Sequence, residues 1–218
     1  MTTFSDEFYR DILEGLAVYA DSSFHRDILA TLTHHQEPGI AVALNKNQMA
    51  SKRWLADSLH ATVGSSPGRV LILGGWVGAL SAVLLHDRRF HIERVTSIDI
   101  DPRCAPVAEA LNATNFRTGR FAARTADMLS LDYAGDDAAD LVINTSCEHL
   151  PDFERWFARV PKDQLVVLQS NDYFACAEHV NSVADLATFR AQAPLSDVMF
   201  SGERKLRRYT RFMLIGRK

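Results

Sequence analysis

Between Arg69 and Pro102 the pattern of apolar and polar positions changes period twice. RVLIL (69–73) is a short continuous apolar run that stops at the glycine turn Gly74 to Gly78. Leu80, Val83 and Leu84 then fall at helical spacing, and VTSIDID (95–101) returns to a strand ending in acid. Strand, helix and strand in that order predict a right-handed βαβ crossover, since paired antiparallel strands need no helix between them. Further runs near 120–124, 140–145 and 164–169 predict three more parallel strands with helices between them. DVMFSGERKL and RRYTRFMLIGRK lie close enough to pair as a terminal hairpin.

The first sixty residues have a helical pattern. Ser5 can cap a helix that sets Phe8, Ile12, Leu16 and Tyr19 on one face. Phe24, Ile28, Leu29 and Leu32 mark a second helix, with His34 and His35 at its end, where the helix dipole favours them. After the Pro38-Gly39 break, Met49, Trp54, Leu55 and Leu59 mark a third. The turn formers Gly64 to Gly68 divide a helical portion, 1–63, from a core, 69–218, within one structural domain. Aromatic Phe4, Phe8 and Tyr9 suit a lid that excludes water from the site.

Composition narrows the class. A chain of 218 residues that is 47% hydrophobic can bury one large α/β core. A net charge of −3 and a pI near 6.2 argue against a nucleic-acid surface and favour a small-molecule partner. MTTFSDEFYR is acidic, without the apolar stretch of a signal peptide, and no run is long enough to span a bilayer. The expectation is a cytoplasmic protein with no membrane partner. Cys104, Cys147 and Cys176 are odd in number and unpaired in spacing, so reduced thiols are expected. Oligomeric state has no signal in the sequence.

The glycine turn carries the first chemistry. Asp99 follows Gly78 by about twenty residues, the separation at which a carboxylate takes the ribose hydroxyls of a nucleoside held over such a turn. A dinucleotide fingerprint needs glycine where Trp76 stands, and a phosphate-binding loop needs a lysine that does not follow Gly78. Gly74, Gly75 and Gly78 could also mark only a tight strand-to-helix turn. Asp101, before Pro102, suits a helix cap.

On these residues the chain resembles class I S-adenosylmethionine (SAM) dependent methyltransferases, over nearly all of its length after residue 68. ARTADMLSLDY carries Asp127 and Met128 where that superfamily holds the adenine, and DLVINTSCEHLPDF places Asn144 in its reaction-side loop. The resemblance implies a Rossmann-like α/β fold with a seven-stranded, mostly parallel sheet in the order 3-2-1-4-5-7-6. It implies SAM as cofactor, held by Gly74, Gly75, Trp76, Gly78, Asp99, Ile100, Asp127, Met128 and Asn144, and alkyl transfer to a small molecule, by default of the methyl group. Met128 suits core filling equally well.

Two departures open another chemistry. Where the family ends its first strand in an acid that holds the cofactor's amino group, this chain has Ile72. Trp76 replaces the middle glycine, either as a cation-π surface for the sulfonium or as packing for the N-terminal helices. The IDIDP run is similar to nicotianamine synthases, and the general arrangement looks like azetidine-2-carboxylic acid synthases, in which the methionine γ-carbon of SAM is attacked. In such a reaction Asn144, Tyr173 and Ser201 would orient or deprotonate the amine; they could equally hold a methyl acceptor. A SAM-binding protein without catalysis is a further alternative.

His149 is a candidate proton acceptor or a structural hydrogen-bonding residue. Cys147, Glu148 and His149 are adjacent, with no metal-ligand spacing and no evident remote partner, so no metal is expected. Arg204, Lys205, Arg207, Arg208 and Arg211 are expected on the solvated side of the hairpin.

Overall fold

The computed structural model describes residues 6–20, 22–35 and 38–218, with side chains described from residue 11 onward, Pro38 excepted. Four helices lead the chain: α1 (Asp6–Ala20), α2 (Ser23–His34), α3 (Pro38–Ala43) and α4 (Lys46–Val63). The sequence pattern predicts three of them. Short α3 begins at the Pro38-Gly39 pair that reads as a break, because proline suits a first helical position, where its missing N–H has no partner to lose.

Then come β1 (Arg69–Leu73), α5 (Ala79–His86), β2 (Arg94–Asp99), α6 (Cys104–Leu111), α7 (Ala113–Arg117), β3 (Phe121–Thr125) and β4 (Leu141–Asn144). The chain closes with α8 (Phe153–Arg159), β5 (Leu165–Asn171), α9 (Leu186–Gln192), β6 (Asp197–Lys205) and β7 (Thr210–Arg217). The seven strands form one sheet in the order β3-β2-β1-β4-β5-β7-β6, as expected. The first five run parallel, and β7 lies antiparallel to both β5 and β6. Leu73 stands opposite both Ile98 and Asn144, so the carboxyl ends of β1, β2 and β4 share one edge.

Both faces of the sheet are covered, which explains why its parallel strands are apolar runs without alternation. On one face Val70, Ile72 and Ile143 pack with Leu55 and Leu59 of α4 and Leu80 and Leu84 of α5. On the other, Leu71, Leu73 and Leu168 pack with Trp156 of α8 and Phe189 of α9. The helix α4 is therefore a layer of the core. A smaller cluster joins Ile40 and Ala43 of α3 to Val77, Val107 and Leu111, with Trp76 at its margin.

The helical face expected in α1 is corrected. Ile12, Leu16 and Tyr19 are exposed and Ala17 is buried instead. In α2 the buried residues are polar, Asp27 and Thr31. Asp27 accepts from the Thr114 N–H and hydroxyl, at 2.9 and 3.1 Å, which ties α2 to the start of α7. Phe4 and Ser5 lie outside the described residues, as do the side chains of Phe8 and Tyr9. Among the described residues, no helix is long and apolar enough to cross a membrane.

Candidate functional site

The glycine turn is held from below by the end of β2. The Gly75 N–H donates to the Ile98 carbonyl at 2.9 Å, and a Cβ at Gly75 would stand 2.0 Å from Ser97 Oγ, so a larger residue would force the Ser97 hydroxyl to turn away. Gly78 adopts φ 74° at the start of α5, where a Cβ would meet Asn112 Nδ2 at 2.7 Å. Between them Trp76 takes a left-handed conformation, φ 48°, that side chains rarely adopt.

Asp99 explains how this turn is kept. Its Oδ2 accepts from the Trp76 N–H at 2.8 Å and its Oδ1 from the Asp101 N–H at 3.0 Å. A carboxylate offers about four lone-pair positions, and the Cys104 thiol also hydrogen-bonds to Asp99, so one remains for a ligand hydroxyl. Beside it Ile100 is 69% exposed, an apolar surface suited to the face of a base. Asp101 accepts from the Arg103 N–H at 2.9 Å and pairs with its guanidinium, so it closes the turn before α6 and is not the residue flanking the helix.

The indole of Trp76 packs on α3: a Cβ at Gly39 would lie 3.1 Å from the ring. Packing against the N-terminal helices is thus the observed role. A cavity of about 230 Å³ opens beside it, lined by Gly39, Trp76, Val77, Asp101, Arg103 and Cys104, among others.

Across the sheet edge, exposed Asp127 accepts from the Leu129 N–H at 2.8 Å and caps a short turn, Met128–Ser130. The Met128 carbonyl accepts from the Tyr133 hydroxyl at 2.7 Å, which in turn accepts from buried Trp156 Nε1 at 2.9 Å. Asn144 is fully buried. Its Oδ1 accepts from the Ser146 N–H at 2.9 Å and its Nδ2 lies 3.7 Å from Met128 Sδ, so it fixes the loop after β4 to the Met128 turn.

Beyond β4 and β5 lies a buried polar network that sequence reasoning assigned elsewhere. Arg211, expected on a solvated face, is 7% exposed. Its Nη1 pairs with Glu148 Oε1 at 2.7 Å, its Nε donates to Gln169 Oε1 at 3.3 Å, and its Nη2 donates to the Thr145 carbonyl. Asn171 Nδ2 donates to the same Glu148 Oε1 at 2.6 Å. The missed signal is the position of Arg211 in β7, directly opposite Asn171, the last residue of β5. Lys52 of α4 stands beside this network; burial, then the Arg211 charge, lower its pKa to about 7.

The loop after β5 brings His179 back to the site. Its ring meets His149 edge-on at 4.5 Å between centroids and Tyr173 at 5.7 Å, and Tyr173 stacks on Tyr209 at 5.6 Å. His149 therefore has the remote neighbour that the sequence did not reveal. Cys147 is fully buried, which holds its thiol well above the usual range and makes it inert as a nucleophile.

Ser201 is placed apart. It lies mid-strand in edge strand β6, opposite Leu214, and β7 and β5 intervene before Asn144 in β4. Three strand spacings separate it laterally from Asn144 by about 14 Å. The expectation that Asn144, Tyr173 and Ser201 all stand at strand ends is corrected on this point, because β6 runs on past Ser201 to Lys205.

No protein-family model matches the sequence, and no curated protein matches it in a sequence comparison. Solved structures are similar in fold. The N-methyltransferase NodS from Bradyrhizobium japonicum WM9, in complex with S-adenosylhomocysteine, is 15% identical with TM-score 0.60, covering 89% of this chain and 96% of that chain. The magnesium protoporphyrin IX methyltransferase ChlM from Synechocystis PCC 6803, also with bound S-adenosylhomocysteine, is 16% identical with TM-score 0.55, covering 90% and 87%. The (4+2)-cyclase SpnF is 15% identical with TM-score 0.59, covering 78% and 82%. At these identities the likeness establishes the fold, which is the Rossmann-like fold of class I methyltransferases.

Proposed function

We propose that the protein is a SAM-dependent transferase that alkylates a small molecule, by transfer of the methyl group. The observation that carries this reading is Asp99: a half-buried carboxylate at the end of β2, fixed by two backbone N–H groups, with a spare lone pair and exposed Ile100 beside it. Asp99 would hold the ribose, with Ile100 and Met128 against the adenine and Asp127 at its edge. Gly74 and Gly75 would let the backbone approach the methionine portion. NodS and ChlM, which share the fold, were solved with S-adenosylhomocysteine, and this supports SAM as the ligand.

On the reaction side, Tyr173, His149 and Lys52 are the groups that can orient or deprotonate an acceptor. Lys52, with a pKa of about 7, can be neutral near pH 7 and so can take a proton. We place the protein in the cytoplasm, with the N-terminal helices as the side of the cleft that excludes water.

A second reading rests on Ile72. It is 1% exposed within the core, so the first strand supplies no carboxylate to anchor the amino group of SAM. A free amine could attack its own γ-carbon: the N–Cγ bond forms, the Cγ–S bond breaks, and the amine proton passes to a base. The products are azetidine-2-carboxylate and methylthioadenosine. Tyr173 would then act on SAM itself.

Incubating the purified protein with SAM, with and without small amine and hydroxyl acceptors, tests both readings. S-adenosylhomocysteine that appears only with an acceptor supports methyl transfer. Methylthioadenosine from SAM alone supports cyclisation, and neither product from a protein that binds SAM would reject catalysis.

A further inference from the structure

Glu148, His149 and His179 converge beyond the carboxyl ends of β4 and β5. One carboxylate oxygen of Glu148 and one nitrogen of each imidazole all lie within 4.8 Å of one another. Each imidazole is also already oriented. His149 Nδ1 is 3.1 Å from the Glu178 carbonyl, and His179 Nδ1 is 3.1 Å from the Tyr173 carbonyl. A carbonyl can only accept, so the proton sits on Nδ1 in both rings and Nε2 carries the free lone pair. A backbone carbonyl behind Nδ1 is the arrangement that orients metal-binding histidines.

The carboxylate supplies a second, independent observation. Glu148 is 2% exposed, and its Oε1 is taken by Arg211 and Asn171, while Oε2 is buried with no hydrogen-bond partner. An unmatched carboxylate oxygen in the interior is costly. A cation at that oxygen would remove the cost, and Arg211 and Asn171 hold the other oxygen as outer partners of a metal-binding carboxylate do.

We propose that Glu148, His149 and His179 bind one first-row divalent transition-metal ion, of which zinc is the representative. Two imidazoles and one carboxylate match such an ion and not magnesium, which favours oxygen ligands with retained water. Ligand atoms on one tetrahedral ion stand about 3.3 Å apart, so binding requires the three side chains to draw together from up to 4.8 Å. Three protein ligands leave a fourth position for water or for an oxygen or nitrogen donor of a small molecule. Tyr173, whose ring meets that of His179 at 5.7 Å between centroids, stands beside the three ligands. The site rests on its own geometry and holds whether or not SAM is the cofactor.

The test uses the full chain, free of any affinity tag, stripped with a chelator and titrated with Zn²⁺ by calorimetry. Co²⁺ provides a parallel absorption signature of tetrahedral nitrogen and oxygen ligation. One ion per chain is expected, with binding weakened about tenfold or more by His179→Gln and by His149→Gln. Mg²⁺ should not compete. In the wild-type protein, nitrogen NMR of the eight histidines should show two rings shifting at one equivalent of Zn²⁺, a readout that does not depend on any variant folding. Absence of stoichiometric Zn²⁺ binding would overturn the proposal, as would shifts confined to other histidines or undiminished affinity in the folded double variant.

Discussion

The Trp76 N–H donates to Asp99 Oδ2 at 2.8 Å, so the acid at the end of β2 holds the glycine turn that follows β1. One side chain thus shapes the turn at the edge of the sheet where a ligand is proposed to bind. This coupling accounts for the left-handed Trp76, because the hydrogen bond and the packing on Gly39 hold a conformation that would otherwise be strained.

Replacing Asp99 by Ala removes this support and the proposed ribose contact. SAM affinity should fall by about 1.5–3 kcal/mol, the range for hydrogen bonds to a charged group. Calorimetric titration of the folded variant checks this, and unchanged affinity would take Asp99 away from the ribose.

Arg211→Met should lower stability by about 3–5 kcal/mol, because it strands the Glu148 charge in the interior. Urea unfolding measures the loss. Adding Glu148→Gln should restore part of it, since the stranded charge is then gone. A single variant as stable as wild type would mean that the pair is not buried as described.

Lys52 makes stability depend on pH. Its folded pKa of about 7 lies below the ordinary 10.5. Between these values the unfolded chain holds more protons, so this lysine's contribution to stability rises as pH climbs from about 7 to 10.5. Below pH 7 its burial penalty is complete. Lys52→Met should therefore melt about 3–8 °C above wild type at pH 6, and the gap should narrow towards pH 10. Scanning calorimetry at the two pH values decides, and a gap that widens with pH contradicts the assignment.

Tyr173→Phe keeps the ring between His179 and Tyr209 and deletes the hydroxyl. Turnover should slow by about tenfold or more while SAM affinity changes little, the pattern for an interaction made only in the transition state. Equal losses in kcat and in SAM binding would instead mark a positioning role for the whole loop.

Much of the sheet was legible because buried parallel strands are apolar runs bounded by turn formers, as in 69–73 and 141–144. The glycine turn and Asp99 were legible for the same reason, being local and separated by one βαβ unit. What sequence could not show were contacts between distant segments. Arg211 lies within a run of surface-like cations, and only its place opposite Asn171 reveals that it is buried against Glu148. His179 is thirty residues from His149, and only the return of the loop after β5 joins them. Ser201 misled in the opposite sense, since it was expected at a strand end yet sits within a long edge strand. The α1 face misled because its apolar residues point outward, leaving Ala17 to make the contact.

SAM is expected to bind along the Asp99 edge of the sheet. Titrating SAM into the purified full chain by calorimetry tests it most directly. Saturable binding of one SAM per chain is expected, competed by S-adenosylhomocysteine and weakened in Asp99→Ala. A folded wild-type protein that shows no saturable binding of either nucleoside would contradict it.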